Sequence, residues 1–137
     1  MATWQADFVV LIAPPGLPAN YRELVGSFLP SARSWRRDLE VWGSDEGDRI
    51  DIPTDDSSEV FARFDLREWK PTLYDQFLAF VRAVGGRLQA DNGDEVPLTS
   101  EAFQRTLSQS DAARFVRDPR GYLDGSATKR IRLPGEP

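Results

Sequence analysis

The 137-residue sequence predicts an α+β fold in which the helices pack on one face of a mostly antiparallel sheet. A continuous apolar run at residues 8–12 predicts a central strand. Residues 60–66 alternate apolar and polar side chains, which is the period of a strand with one wet face. Residues 73–84 place apolar side chains at the spacing of an amphipathic helix. Together these patterns indicate a two-layer domain.

The elements are delimited by prolines, glycines and short polar turns. Pro14, Pro15 and Gly16 end the first strand, Gly85 and Gly86 end the long helix, and Asn92-Gly93 predicts a tight hairpin. The predicted elements are strand 4–13, helix 19–29, strands 39–42, 49–52 and 60–66, helix 72–84, strands 87–90 and 96–98, and helices capped at Thr99 or Ser100 and at Ser110. This order approximates a ferredoxin-like split β-α-β arrangement with an extra strand and a C-terminal helix. We expect a single domain over residues 1–124 and a mobile tail over residues 125–137.

Strand alternation also predicts which side chains face the core. Ile50 and Ile52 are expected inside, as are Leu39 and Val41 on the preceding strand. Trp42 and Phe61 then fall on the opposite side, where they would form an outward aromatic patch suited to a partner. The alternative is that a second layer covers that face too.

The composition excludes several kinds of chemistry. The chain has no cysteine and no histidine, which removes thiolate nucleophiles, thiolate metal sites and disulfides together with the commonest general base. A Ser–His–Asp or Cys–His mechanism is therefore impossible in this chain. No glycine-rich phosphate loop and no nucleophile elbow are found. We expect no enzyme activity, no catalytic residue and no cofactor.

The net charge of −5 disfavours binding to nucleic acid through the surface as a whole. Arg33, Arg36 and Arg37 flank Trp35, a combination that contacts single strands in other proteins, but acidic residues are mixed with the remaining basic ones. The N-terminus lacks a basic segment, and the run at residues 8–12 is too short to span a bilayer. We therefore expect a cytoplasmic protein without membrane or nucleic-acid partners.

Residues 38–59 form the most biased segment of the chain. Nine acidic residues and one basic residue, Arg49, give it a local net charge of −8. Such a segment attracts basic partners and speeds their association, although polar turns of this composition are also common as solvated loops. No register of the segment matches an EF-hand, so no metal site is predicted.

Two parts of the sequence carry a resemblance to known proteins. Residues 110–123 (SDAARFVRDPRGYL) resemble the C-terminal end of a group of short uncharacterised bacterial proteins. Residues 47–52 (GDRIDI), 60–67 and 77–86 are similar to the middle of that group. The chain is also similar in type, being small, acidic and α+β, to immunity proteins that neutralise bacterial toxins. The resemblance implies a bacterial domain and supplies no catalytic motif.

The function that these observations favour is a non-catalytic protein-binding module, of the inhibitor or immunity kind, with a basic protein as partner. The residues predicted to contact the partner are Trp42, Asp45, Glu46, Asp48, Asp55, Asp56, Glu59 and Phe61. The alternative is a small-molecule-binding or self-associating domain, either with a pocket between sheet and helices that uses Arg63 or Arg67, or as a homodimer through the sheet.

Overall fold

The chain folds around one seven-stranded sheet in which every strand pair is antiparallel. The computed structural model describes residues 2–55 and 58–124, with only the backbone described for 122–124. The strands are β1 (Gln5–Ile12), β2 (Ser31–Ala32), β3 (Leu39–Gly43), β4 (Arg49–Pro53), β5 (Glu59–Asp65), β6 (Gly86–Ala90) and β7 (Glu95–Val96). Their order across the sheet is β2-β3-β4-β5-β1-β6-β7.

Five helices complete the described part of the fold. They are α1 (Tyr21–Gly26), α2 (Pro71–Ala83), α3 (Ser100–Ser108), α4 (Asp111–Arg117) and α5 (Pro119–Asp124). The hydroxyls of Thr99 and Ser110 accept hydrogen bonds from the backbone N–H groups of Ala102 and Ala113, as expected of N-caps. The caps predicted at these two positions are therefore confirmed.

The two faces of the sheet differ sharply in what covers them. One face, which we call the inner face, carries Ala6, Phe8, Val10 and Ile12 of β1 and packs with the apolar sides of α1 to α4 into a single core. Because side chains alternate along a strand, residues 5, 7, 9 and 11 of β1 point to the other side. We call that side the open face, since no helix in the described part of the chain packs on it.

Aromatic rings fill the centre of the core. Phe64 is fully buried, and its ring centroid lies 4.8 Å from that of Phe77 and 5.5 Å from that of Phe103. Tyr74 and Phe8 contact the same ring at 5.8 and 6.0 Å. These edge-on contacts join α2 and α3 to β1 and β5, so the helix layer is held to the middle of the sheet.

The predicted α+β class is confirmed, but the predicted ferredoxin-like arrangement is not. The fold is α+β with an antiparallel sheet, β1 is central between β5 and β6, and the helix at residues 71–83 is close to its predicted span. The ferredoxin-like arrangement is not confirmed, because the sheet has seven strands and five helices accompany it. The short edge strand β2 and helix α5 were not predicted, since two-residue and single-turn elements leave almost no periodic signal. The predicted tail at 125–137 lies outside the described residues.

Candidate functional site

The open face is a mixed apolar and charged surface at the centre of the sheet. Its register follows from the strand pairs, in which Val41, Asp51, Phe61, Val9 and Gln89 lie side by side across five strands. The adjacent rows add Leu39, Pro53, Glu59, Leu11 and Arg87 on one side, and Arg49, Arg63 and Asp7 on the other. Val9 and Leu11 are half-buried, whereas Phe61 exposes 38% of its surface. An apolar strip thus crosses a face on which none of the helices within residues 2–55 and 58–124 packs.

A groove of about 520 Å³ runs across this face. Phe61 and Val9 line its middle, and Leu39 and Pro53 line the part over β3 and β4. Acidic side chains surround it at both ends, namely Asp38, Asp51 and Asp55 at one end and Asp7 and Asp91 at the other. The groove volume lies within the range of about 300–1,000 Å³ typical of ligand sites.

Two arginines on the open face are held by carboxylates of the same chain. The guanidinium of Arg49 contacts Asp51 at 2.6 Å and Asp45 at 2.5 Å, and only 10% of the Arg49 side chain is exposed. Arg63 lies directly opposite Arg49 on the neighbouring strand, and its Nε is 3.5 Å from Asp7 Oδ1. Like charges on facing residues repel, and the buried Asp51 carboxylate beside Arg49 offsets that repulsion.

Asp7 carries the most informative carboxylate in the groove. Burial raises the pKa of Asp7, Arg63 opposes the rise, and the negative charge of Asp91 adds to it. Asp7 Oδ1 is also shielded from solvent and has no hydrogen-bond partner within the described residues, although it forms the ion pair with Arg63. An incompletely satisfied carboxylate in a concave surface is typical of a binding site.

Replacing Asp7 with asparagine is expected to raise the melting temperature at pH 7 by a few degrees. A folded-state pKa above the ordinary value of 3.8 means that ionised Asp7 destabilises the folded chain at neutral pH. The gain should shrink as the pH falls through the raised folded-state pKa and vanish below the ordinary pKa of 3.8, where the carboxyl becomes protonated in both states. Thermal unfolding followed by circular dichroism from pH 3.5 to 8 measures this, and a lower melting temperature for Asp7→Asn at pH 7 would contradict it.

The first acidic turn, at residues 44–48, is fastened to the rest of the molecule. Gln5 Nε2 donates to the carbonyl oxygens of Asp45 and Gly47, and Trp4 Nε1 donates to that of Glu46. Asp48 accepts the backbone N–H of Asp65 at 2.8 Å and lies 3.3 Å from Lys70 Nζ.

Burial raises the pKa of Asp48, while these two contacts work in the opposite direction. Asp45 is engaged as well, through Arg49. The Asp48 carboxylate therefore ties the turn to β5, whereas Asp45, which is paired with Arg49, and Glu46 are both exposed.

The acidic segment is consequently not one continuous patch. The turn at residues 44–48 and residues 54–55 lie at opposite ends of β4, whose five residues separate them by roughly 17 Å at about 3.4 Å per residue. Asp55 lines the groove and Glu59 is exposed on the open face, and neither forms an ion pair within the described residues. Asp56, predicted as a contact residue, lies outside the described residues.

The predicted outward pair of Trp42 and Phe61 is wrong. Trp42 pairs with Ile50, which in turn pairs with Ala62, so Trp42 points to the inner face while Phe61 points to the open face. The Trp42 ring lies under α1, 3.3 Å from the position that a Cβ on Gly26 would occupy. Leu39 and Val41, expected inside, are on the open face instead. The inner face of β3 was misassigned because both faces of that strand carry apolar residues.

A second concavity of about 650 Å³ lies between the N-terminus, the β6–β7 turn and the start of α4. Asp94, Glu95 and Asp111 line it, together with Asp7 and Asp91 of the groove rim. Neither Arg63 nor Arg67 lines this space, because Arg63 is on the open face and the Arg67 guanidinium lies 4.3 Å from the centre of the Trp4 ring. Within residues 2–55 and 58–124, no group of three or more acidic side chains is placed to hold a metal ion.

Comparison of the chain with models of protein families, with curated proteins and with solved structures finds no match. None of the helices in the described part combines the length and the apolar character needed to cross a membrane. The assignment of a function therefore depends on the geometry of the open face.

Proposed function

We propose that this chain is a non-catalytic protein-binding module of the inhibitor or immunity kind, and that the open face is its binding surface. The observation that carries the proposal is the apolar strip of Val9, Leu11, Leu39 and Phe61 on strands at the middle of the sheet, with no layer over it in the described residues. A central strand that is apolar on both faces is typical of a strand covered on both sides. A partner protein supplies the missing cover.

The charges around the strip favour a basic partner. Arg36 and Arg63 are both engaged, with Asp38 and Asp7 respectively, whereas Asp55 and Asp91 are exposed and form no ion pair in the described part of the chain. The groove rim therefore has an excess of negative charge that steers a basic protein toward the apolar strip. We include in the proposal a cytoplasmic location and the bacterial setting that the resemblance favours.

The partner contacts differ from those expected of the acidic segment alone. Asp55, Glu59 and Phe61 remain in the proposed surface, joined by Asp91 and by Leu39. Asp45 and Asp48 are replaced as contact residues, because their carboxylates are engaged within the molecule. Trp42 is likewise withdrawn, since its ring packs under α1.

The test is affinity capture from native lysate with three forms of the full chain. The wild type is compared with a groove variant, Asp55→Lys/Asp91→Lys, and with a control variant that reverses two exposed acids of the helix layer, Glu23→Lys/Glu101→Lys. We expect one basic protein to be retained by the wild type and the control at low ionic strength, to be lost from the groove variant, and to be released at high ionic strength.

Circular dichroism shows whether both variants are folded. Retention of the same protein by the folded groove variant would contradict the proposal, as would a partner that is lost only from the helix-layer variant. A partner insensitive to salt would contradict the role of charge.

A further inference from the structure

Two large hydrophobic side chains of the described residues are exposed, Trp35 at 83% and Phe61 at 38%. Phe61 lies in the floor of the groove, and Trp35 lies in the loop at residues 33–38, which we call the Trp35 loop. That loop borders the groove, because its Arg36 and Asp38 line it. Trp35 does not fill the groove of its own chain, since most of its surface remains exposed to water.

Local hydrogen bonds give the Trp35 loop a defined shape. Ser34 Oγ accepts the backbone N–H of Arg36 at 3.1 Å and lies 2.9 Å from the carbonyl oxygen of the same residue, to which it donates. The guanidinium of Arg36 contacts Asp38 through two bonds of 3.0 and 2.7 Å. The indole is therefore presented on a braced loop, which lowers the entropy lost when it binds.

The charges of the loop and of the groove are opposite. Arg33 and Arg37 are exposed and form no ion pair among the residues that the structure describes. Asp55 and Asp91 lie at the two ends of the groove. Both are exposed, and neither forms an ion pair within the described residues. One chain thus carries a projecting aromatic ring between two free cations and a concave aromatic floor between two free anions.

We propose that the chain forms a two-fold dimer in which the Trp35 loop of each copy occupies the groove of the other. In this arrangement Trp35 packs against Phe61, and Arg33 and Arg37 meet the acidic rim. The contact is self-complementary, so it closes into a dimer instead of a filament. The groove, at about 520 Å³, has room for an indole ring, and aromatic and arginine side chains are the residues that dominate protein interfaces.

The dimer uses the groove of the proposed function but does not depend on a foreign partner. A basic partner and the second copy would occupy the same space, so each displaces the other. A monomeric protein that still binds a basic partner would refute the dimer alone. A dimer that captures no basic partner would refute the proposed function alone.

The test is sedimentation velocity of the purified full chain over a range of concentrations at low ionic strength. We expect a dimer for the wild type and an increase in its dissociation constant of roughly 1,000-fold for Trp35→Ala, because the two-fold contact loses two copies of an interface residue worth about 2 kcal/mol each. Because Trp35 is exposed in the single chain, its removal should leave the circular dichroism spectrum of the folded protein unchanged.

Charge exchange makes the test specific to these two surfaces. The loop variant Arg33→Glu/Arg37→Glu and the groove variant Asp55→Lys/Asp91→Lys should each be monomeric, because each brings like charges together in its own homodimer. An equimolar mixture should form a heterodimer, since the reversed loop then faces the reversed groove and the two native surfaces face each other.

Three results would overturn the proposal. The first is a wild-type protein that stays monomeric at every concentration, whether or not its Trp35 loop binds single-stranded nucleic acid in a fluorescence polarisation assay. The second is a dimer that Trp35→Ala leaves unchanged. The third is a dimer abolished only by Lys129→Glu/Arg130→Glu/Arg132→Glu, which would make the basic C-terminal segment the occupant.

Discussion

Replacing Arg49 with methionine is expected to lower the free energy of unfolding by about 3–5 kcal/mol. Arg49 is 10% exposed, and its guanidinium is the ion-pair partner of Asp51, whose side chain is only 9% exposed. Methionine retains most of the side-chain volume but leaves a buried carboxylate without a counter-charge, and that uncompensated charge is the cause of the loss. Urea denaturation followed by tryptophan fluorescence measures the effect.

The double variant Arg49→Met/Asp51→Leu is the matched control. It removes both charges, so we expect it to regain most of the stability that the single variant loses. The Asp45 carboxylate, which is 80% exposed on its side chain, is free to turn to water in both variants. A single variant as stable as the wild type, or a double variant no better than the single one, would contradict a structural role for this ion pair.

Replacing Phe64 with alanine is expected to cost about 3–5 kcal/mol, which is a large share of the 5–15 kcal/mol that stabilises a typical domain. Phe64 is fully buried, and its ring touches those of Phe77 and Phe103 from two different helices. The cavity would therefore open at the point where the helix layer joins the sheet. The same denaturation experiment measures the cost.

Phe61 provides the control for this prediction, because it is the same residue type three positions earlier on β5. It points to the open face and lies outside the core, so Phe61→Ala is expected to change the free energy of unfolding by less than about 0.5–1 kcal/mol. At a concentration where the chain is monomeric, equal losses from Phe61→Ala and Phe64→Ala would show that the open face is covered within a single chain, which would contradict this prediction.

Much of the fold was predictable because its strongest signals are periodic. Alternation at residues 60–66 places Val60, Ala62, Phe64 and Leu66 on one face, and all four are buried on the inner face. The apolar run at residues 8–12 indicates a central strand, and β1 is central. That run also contains a signal of the proposed binding surface, since Val9 and Leu11 are the residues of β1 that place apolar side chains on the open face.

The orientation of β3 was not predictable from its own residues. Leu39 and Val41 on one face and Trp42 on the other give two apolar sides, so alternation alone does not decide between them. The pairing of Trp42 with Ile50 and the position of α1 above the Trp42 ring decide it, and both are tertiary facts. The misassignment turned a core tryptophan into a predicted partner contact.

The acidic segment illustrates a different limit. The number of its charges predicts an acidic surface. That number does not show that Arg49 is buried or that Asp48 accepts the backbone N–H of Asp65. The Arg49–Asp51 ion pair lies within β4 and the Asp48–Asp65 hydrogen bond reaches β5, and together they determine which acids remain free. Asp91 belongs to the groove although it is 32 positions beyond Glu59, and only the pairing of β6 with β1 brings it there.

Methyl NMR tests the proposal that the open face of the sheet binds basic partners, because inner and open side chains alternate along the same strands. The probe is a six-residue arginine peptide added to methyl-labelled full-length protein at low ionic strength. Val9, Leu11 and Leu39 report on the open face, while Val10 and Ile12 report on the inner face.

We expect chemical shift changes at the three open-face residues, and these changes should saturate as peptide is added. They should disappear in Asp55→Lys/Asp91→Lys, and Val10 and Ile12 should change little. Changes confined to methyl groups of the helix layer, such as those of Leu24 and Leu73, or an open face that does not respond, would contradict the proposal.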